Sequence, residues 1–228
     1  MATYIRIADN RELDNIPPEV LDELSIFGES ELCRLKKIKN PRRRAEGASG
    51  LFCLREALEY LNITKENKNF IIARDEDGRP SFADTDLPDF SIAHDGALSV
   101  AVLADGKTRV GVDIEKTEKE KGNISADSQK KLAERFFSAV EKERLREKAY
   151  QTDEFFRIWT EKEAYAKKCG KGLSKILAER EESENKNEKF LCFEITIEEE
   201  RYILTLCAED TECAWVSVPE GCYVNKLV

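Results

Sequence analysis

Residues 90–115, FSIAHDGALSVAVLADGKTRVGVDIE, decide how this 228-residue chain is expected to fold. Leu98–Ala104 is largely apolar and predicts a buried strand, and His94-Asp95-Gly96 predicts a turn before it. Asp105-Gly106 is a typical two-residue hairpin turn, so Arg109–Glu115 is expected to return beside that strand. The stretch therefore predicts an antiparallel sheet near the middle of the chain.

Helical and strand patterns alternate on both sides of this stretch. The helical patterns begin at Pro17-Pro18, Glu29 and Pro41, and a long one covers 129–168 with breaks near residues 138 and 150. The strand patterns are Thr3–Ala8, expected at a sheet edge, then Phe70–Arg74, Phe190–Ile197, Tyr202–Ala208 and Ala214–Val218. Polar residues at 116–131 and 179–189 predict loops. This order favours an α+β fold of two subdomains, an N-terminal one at residues 1–104 and a C-terminal one at residues 105–228.

The charge of the chain is unevenly distributed. Its 37 basic and 46 acidic residues give a net charge of −9, which disfavours a protein that binds nucleic acid over its whole surface. Between Glu31 and Arg55, however, eight basic residues accompany only two acidic ones. That segment is either a solvated helix face or a site for an anion, and a basic cleft on an acidic body is expected.

The cysteines and the N-terminus indicate the compartment. Seven cysteines without a Cys-x-x-Cys pair argue against a disulfide scaffold and against a structural zinc site. The start of the chain lacks the apolar stretch of a signal peptide, and no apolar run approaches the ~20 residues needed to span a bilayer. We therefore expect a cytoplasmic protein that has no membrane partner.

Gly111–Glu115, GVDIE, is the first segment that carries chemistry. Side chains alternate along a strand, so Val112 and Ile114 are expected to face a core. Asp113 and Glu115 then share the opposite face, where paired carboxylates suit a hard divalent cation such as Mg²⁺. The alternative is a solvated strand face, because Asp-x-Glu is common in so acidic a chain.

The helical segment WTEKEAYAKK, Trp159–Lys168, is the second. Trp159, Glu163 and Lys167 are spaced at four-residue intervals and share one helix face. This pattern is typical of an ordinary amphipathic helix, but it also fits Glu163 as a third oxygen ligand or base and Lys167 as a phosphate contact. His94, the only histidine, is either structural or directed into a cleft by its turn.

In this order, the segments resemble the 4′-phosphopantetheinyl transferases of the large, surfactin-type class. Gly111–Glu115 is similar to the family's Gly-[Ile/Val]-Asp-[Ile/Val]-Glu strand, and Trp159–Lys167 to its Trp-[Ser/Thr]-x-Lys-Glu-[Ser/Ala] helix with a lysine one turn further on. Shorter matches are Gly78-Arg79-Pro80, FSIAHDG at 90–96, RFFSAVE at Arg135–Glu141 and Gly170–Ser174. Ala93 and Arg79 depart from the family, which usually has serine and lysine there, so a hydroxyl contact to coenzyme A is lost or replaced at Ala93.

The resemblance implies a fold and an activity. The fold would be two similar α+β subdomains related by a pseudo-twofold axis, with the active site at their interface. The activity would be transfer of 4′-phosphopantetheine from coenzyme A to a serine of an apo acyl or peptidyl carrier protein, with release of 3′,5′-adenosine bisphosphate. A monomer is expected. The alternatives are a non-catalytic member that binds a carrier protein or coenzyme A, and a Mg²⁺-dependent phosphohydrolase.

The resemblance also implies roles for particular residues. Asp113, Glu115 and Glu163 would bind Mg²⁺, with Mn²⁺ as the alternative ion, and Asp113, Glu163 and Lys167 would form the catalytic group. Glu163 would take the serine proton directly or through a metal-bound water, with Glu141 as the competing base. The expected coenzyme A contacts are Lys167 at the pyrophosphate, His94 and Arg34 (sixteen residues before Gly50) at the ribose 3′-phosphate, and Arg79 near the adenine-side phosphate.

Overall fold

Two four-stranded sheets form the frame of the protein. The computed structural model describes residues 2–11, 24–66, 70–104, 106, 108–117, 126–180, 188–209 and 213–227. The helices are α1 Glu29–Lys37, α2 Pro41–Tyr60, α3 Ala126–Phe136, α4 Ala139–Glu147, α5 Thr152–Cys169 and α6 Leu173–Arg180. The strands are β1 Ala2–Asp9, β2 Ile72–Arg74, β3 Pro80–Phe82, β4 Phe90–Asp95, β5 Leu98–Leu103, β6 Gly111–Lys116, β7 Lys189–Ile197, β8 Glu200–Ala208, β9 Cys213–Ser217 and β10 Cys222–Leu227.

The first sheet has the strand order β4-β5-β1-β9 and packs against α2. Pro41 starts α2 behind Asn40, whose side chain accepts a hydrogen bond from the Arg43 backbone N–H, as a helix N-cap does. The inner face of α2 buries apolar residues such as Leu51 and Leu54 against this sheet. The basic residues near the start of α2 therefore stand beside the sheet's β4 edge, where a cleft opens.

The second sheet has the order β10-β7-β8-β6 and packs against α5. Helix α5 ends at Gly170, which adopts a left-handed conformation with φ of 72° that suits glycine. Val112 and Ile114 of β6 face a core that also contains Ile5 and Val100 of the first sheet. As the alternation along GVDIE predicts, Asp113 is directed the other way, toward α5.

The α+β class is confirmed, as are the predicted breaks in the long helical region. Ser138 caps α4 and forms a capping box with Glu141, which separates α4 from α3. A turn at 148–150 separates α4 from α5. The strands predicted at the end of the chain are also present, as β7, β8 and β9.

Two sequence predictions about pairing are wrong. Strand β5 does not form a hairpin with the strand that follows it, because β4 and β1 occupy its two edges and β6 pairs with β8 in the other sheet. All six residues of β5 are buried, which is typical of a strand with neighbours on both sides. Thr3–Ala8 is likewise not an edge strand, since β1 lies between β5 and β9.

The division at residue 105 and the pseudo-twofold axis stay predictions. The strands of each half do fall in separate sheets, except that β9 returns from the C-terminal half to pair in parallel with β1. Most of the helix predicted from Pro17 lies outside the described ranges, as do residues 118–125 and 181–187 of the two predicted loops. The loop prediction is wrong at 126–131, which belong to α3, and at 179–180, which end α6. In the part of the chain that the structure describes, no helix combines the length and the apolar character that a bilayer crossing requires.

Candidate active site

Strand β6 and helix α5 approach each other unusually closely at Gly111. A Cβ atom added to Gly111 would lie 1.9 Å from the carbonyl oxygen of Ala164 and 2.6 Å from the backbone nitrogen of Lys168. Only glycine allows this approach, because any side chain would overlap the backbone of α5. The glycine thus allows the carboxylates of β6 to lie next to the Trp159–Lys168 segment of α5.

Asp113 is the most buried carboxylate of the candidate site, with 6% of its surface exposed. Its Oδ1 accepts a hydrogen bond from Lys167 Nζ at 2.7 Å, whereas its Oδ2 is buried and has no hydrogen-bond partner among the described residues. Burial raises the pKa of Asp113, and the Lys167 ammonium opposes this rise. A buried carboxylate oxygen without a partner is a feature that a bound cation would explain.

The other two predicted carboxylates lie beside Asp113. Burial raises the pKa of Glu163, and the negative charge of Asp113 raises it further. Glu115 accepts a hydrogen bond at 3.2 Å from the indole Nε1 of Trp159, the residue one helical turn before Glu163. The predicted face-sharing of Trp159, Glu163 and Lys167 therefore brings all three side chains toward β6.

The fit of a divalent cation can be judged from these contacts. No group of three or more His, Cys, Asp or Glu side chains within the described ranges is already arranged to hold a metal ion, and Lys167 pairs with Asp113. The residues nevertheless suit such an ion, because Asp113 keeps a buried oxygen unpaired and Asp113 and Glu163 repel each other. A hard cation would add positive charge to that of Lys167 beside these two carboxylates.

Two adjoining cavities open beside the carboxylates. One, of about 290 Å³, is lined by Glu163, Lys167 and Lys171. The other, of about 630 Å³, is lined by basic side chains and by apolar residues of the first sheet. Its basic residues are Arg34, Arg43, Arg74 and His94, and the residues that it shares with the smaller cavity are Pro80, Phe90 and Ile92. The expected basic cleft thus leads to Glu163 and Lys167.

His94 projects from β4 into the larger cavity and is partly exposed. Its Nδ1 lies 3.4 Å from a carboxylate oxygen of Glu46 on α2. The partial burial of the imidazole lowers the pKa of His94, although Glu46 acts in the opposite direction. The folded protein therefore favours the neutral imidazole near pH 7.

This lowered pKa predicts an acid sensitivity that depends on His94. The unfolded chain, with the ordinary pKa of 6.5, binds the proton more readily, so the contribution of His94 to stability is complete above that pKa and is lost as the pH falls toward the folded value. We expect His94→Gln to lose less free energy of unfolding than wild type between about pH 7.5 and about pH 5.5, measured by urea titration. Equal losses in the two proteins would contradict the assignment.

Arg79 and Arg34 reach the cleft, but both are already paired. The Arg79 guanidinium is buried against Asp89 at 2.5 Å, and its Nε donates to the backbone carbonyl oxygen of Lys167 at 3.0 Å. Arg34 pairs with Glu31, which also accepts hydrogen bonds from Arg74. Arg79 therefore stabilises the end of α5. A contact between Arg79 and a phosphate would require the ion pair with Asp89 to open.

Glu141, the alternative base, is occupied by structural contacts. It accepts a hydrogen bond at 2.6 Å from the backbone N–H of Ser138 and another at 2.9 Å from Lys162 Nζ, whose side chain is only 2% exposed. Glu141 is not among the described residues that line either cavity. These contacts favour a structural role for Glu141, and of the two candidate bases only Glu163 lines a cavity.

Several site residues carry no signal in the sequence. Glu46, Asp89 and Arg74 meet His94, Arg79 and Glu31 only through the packing of distant elements. The basic run from Glu31 to Arg55 did indicate an anion site, yet it did not single out Arg43 as a lining residue. Ala93 is buried in the core between the sheets, so its side chain does not line the cleft.

An α+β fold that places clustered carboxylates beside a basic cleft is the arrangement of a protein that binds an anionic ligand. The model of the 4′-phosphopantetheinyl transferase superfamily matches residues 109–224, just over half of the chain, and the chain belongs to this superfamily. Its relatives confirm the surfactin-type class that the motifs predicted.

Three relatives illustrate the similarity. The chain is 40% identical over 103 residues to 4′-phosphopantetheinyl transferase Sfp of Bacillus subtilis (strain 168), covering 43% of this chain and 41% of Sfp. It is 35% identical over 118 residues to the transferase gsp of Aneurinibacillus migulanus, covering 51% and 44%. It is 30% identical over 172 residues to the transferase HetI of Nostoc sp., covering 72% and 68%. The matches thus span less than half the length of Sfp and of gsp.

Proposed function

We propose that this chain transfers 4′-phosphopantetheine from coenzyme A to a serine of an acyl or peptidyl carrier protein and releases 3′,5′-adenosine bisphosphate. The observation that carries the proposal is the buried Asp113 carboxylate, which lies between Lys167 and Glu163 at the end of a basic cleft. The relatives named as 4′-phosphopantetheinyl transferases support the same reaction.

The reaction joins a serine hydroxyl to a phosphorus of the coenzyme A pyrophosphate. The negative oxygens around that phosphorus repel a nucleophile, so the site must supply positive charge. Lys167 binds the pyrophosphate, exchanging its hydrogen bond with Asp113 for one with a phosphate oxygen. Asp113, Glu115 and Glu163 would hold Mg²⁺, with Mn²⁺ as the alternative, and such an ion would supply positive charge to offset that of the pyrophosphate.

Glu163 accepts the serine proton in this mechanism. Its pKa is raised by burial and by Asp113, which makes the carboxylate a stronger base than an exposed glutamate. The larger cavity receives the rest of coenzyme A, with His94 and Arg34 at the ribose 3′-phosphate. Arg79, which lines the smaller cavity, contacts the adenine-side phosphate when its ion pair with Asp89 opens. A neutral His94 gains a proton more readily beside a phosphate dianion, because an adjacent negative charge raises a histidine pKa.

The proposed function is tested by one incubation of the protein with coenzyme A, Mg²⁺ and a panel of apo carrier proteins. Mass spectrometry of the carriers is expected to show the addition of one phosphopantetheine group to at least one of them. Hydrolysis of coenzyme A without a carrier would indicate a phosphohydrolase instead. Binding of coenzyme A with no gain of carrier mass would indicate a non-catalytic member. The monomeric state and the cytoplasmic location stay predictions.

The two candidate bases are expected to differ sharply. Glu163→Gln removes the proton acceptor in the cleft, so kcat should fall by about 100-fold or more. Glu141→Gln keeps an oxygen that can accept from Lys162, so transfer should stay within about threefold of wild type. Initial rates at saturating coenzyme A measure both variants, and thermal unfolding checks that each is folded. Full activity of both would remove the carboxylate-base mechanism.

A further inference from the structure

Strands β4 and β6 lie at the facing edges of the two sheets and are joined by side chains. β4 is the terminal strand of the first sheet, and β6 is the terminal strand of the second. Side chains in and just before β4 accept hydrogen bonds from backbone N–H groups in and just before β6. The three bonds join Asp89 Oδ2 to Val110 N at 2.9 Å, Ser91 Oγ to Val112 N at 3.1 Å and Asp95 Oδ2 to Lys116 N at 2.8 Å.

These bonds have a constant register. Each acceptor precedes its donor by 21 residues, so the two segments run in the same direction, and the three acceptors lie on one side of β4 at positions 89, 91 and 95. Asp89, Ser91 and Asp95 together form the acceptor ladder. The position between the last two members is Ala93, whose methyl group cannot accept a hydrogen bond. Side-chain oxygens of the ladder thus take the place of the backbone carbonyl oxygens that a paired strand would offer to β6. Only position 93 lacks such an oxygen.

The ladder satisfies donors that have no other partner strand. One edge of β6 pairs with β8, which leaves the N–H groups of its other edge facing β4. Val112 is fully buried, so its N–H has no access to water. A buried N–H without an acceptor is costly, and the acceptors therefore fix where β6 lies along β4.

The ladder connects two walls of the candidate site. β6 carries Asp113 and Glu115, each next in sequence to a residue whose N–H is held by the ladder. β4 carries His94 and Ile92, which line the cleft. Ser91 and Asp95 alternate with Ile92 and His94 along β4, and Ser91 also lines the smaller cavity. One short strand thus both lines the cleft and holds β6.

We propose that Ser91 and Asp95 are positioning residues, which act through the backbone of β6 to set the place of Asp113 and Glu115 relative to the cleft. This inference rests on the proposed transfer reaction for its kinetic consequence, but its structural part is independent of that reaction. Displacement of a reacting group by about 1 Å lowers a rate by as much as about 100-fold, so a loosened β6 should reduce kcat.

The test compares pairs of variants that remove or keep the acceptor. Ser91→Ala and Asp95→Ala remove it, whereas Ser91→Thr and Asp95→Asn keep an oxygen at the same place. Asp95→Asn also removes the charge, which separates the acceptor from electrostatic effects on the site. Ser49→Ala is the matched control, because the Ser49 hydroxyl is fully buried and has no hydrogen-bond partner among the described residues.

Hydrogen–deuterium exchange of the β6 peptide, without substrates, is the first readout. Both alanine variants should exchange at least about 10-fold faster than wild type, while the oxygen-keeping variants and Ser49→Ala should not. In the transfer assay, the alanine variants should lose about 10-fold or more in kcat, with KM for coenzyme A within about twofold of wild type.

Three results would overturn the inference. Unchanged exchange in the alanine variants would show that the ladder does not hold β6. Faster exchange with unchanged kcat would show a purely structural role. An Asp95→Asn variant as slow as Asp95→Ala would assign the effect to charge. If wild type transferred nothing to any carrier, the proposed function would fail, whereas the exchange experiment would still test the ladder.

Discussion

Asp113→Asn should lower transfer by roughly 100- to 1,000-fold without weakening the fold. The substitution removes the negative charge that pairs with Lys167 and that a divalent cation would need. It keeps a side-chain oxygen of the same size, so the hydrogen bond from Lys167 can still form. Because burial disfavours the ionised carboxylate, as the raised pKa shows, the neutral amide should leave the unfolding temperature equal to or above that of wild type.

Initial rates of carrier modification, measured over a range of Mg²⁺ concentrations, give the size of the loss. Asp153→Asn is the control, because Asp153 lies in the first turn of the same helix, α5, as Lys167 and pairs with Arg201. It should transfer at the wild-type rate. An Asp113→Asn variant within about threefold of wild type would show that the buried carboxylate does not take part in the reaction.

Gly111→Ala should have the largest effect on stability. The added methyl group would meet backbone atoms of α5 on two sides, at 1.9 Å and 2.6 Å, and backbone cannot move away as the end of a side chain can. The helix would have to separate from β6, at a cost of about 3 kcal/mol in the free energy of unfolding. The same displacement would move Lys167 and Glu163 away from Asp113, so transfer should fall as well.

Gly172→Ala provides a matched control for this prediction. It adds the same methyl group close to the same cleft, at a position where no atom lies within 4 Å of the new Cβ. Urea unfolding of the two variants should show a large loss for Gly111→Ala and little change for Gly172→Ala. Similar stability of the two would mean that the close approach of β6 and α5 is easily relaxed.

The sequence predicted what short-range geometry determines. Alternation along β6 predicted that Asp113 and Val112 face opposite sides, and the spacing on α5 predicted that Glu163 and Lys167 share one helix face. Both arrangements are present in the structure. These predictions succeed because the direction of a side chain depends on the repeat of its own strand or helix. The order of the motifs then predicted the family, which the comparisons confirm.

The sequence could not predict which distant elements meet. The Asp105-Gly106 signal describes a local bend, but the partner of β6 depends on which strand edges remain open in the assembled sheets. The ion pair between Arg79 and Asp89 also required the fold, because nothing in the local sequence distinguishes Arg79 as a buried residue. For the same reason, the sequence left both Glu141 and Glu163 as candidate bases. The contact of Glu141 with the buried Lys162, which distinguishes them, is visible only in the fold.

The position of β9 beside β1 has a consequence for synthesis on the ribosome. More than 200 residues separate β1, which ends at Asp9, from its parallel neighbour β9, which begins at Cys213, so β1 is synthesised long before β9. Until then, one edge of β1 offers unpaired backbone groups to any extended segment nearby, including that of another nascent chain. Translation paused or stopped before β9 should therefore yield an aggregation-prone product, because the first sheet is complete only when β9 pairs with β1.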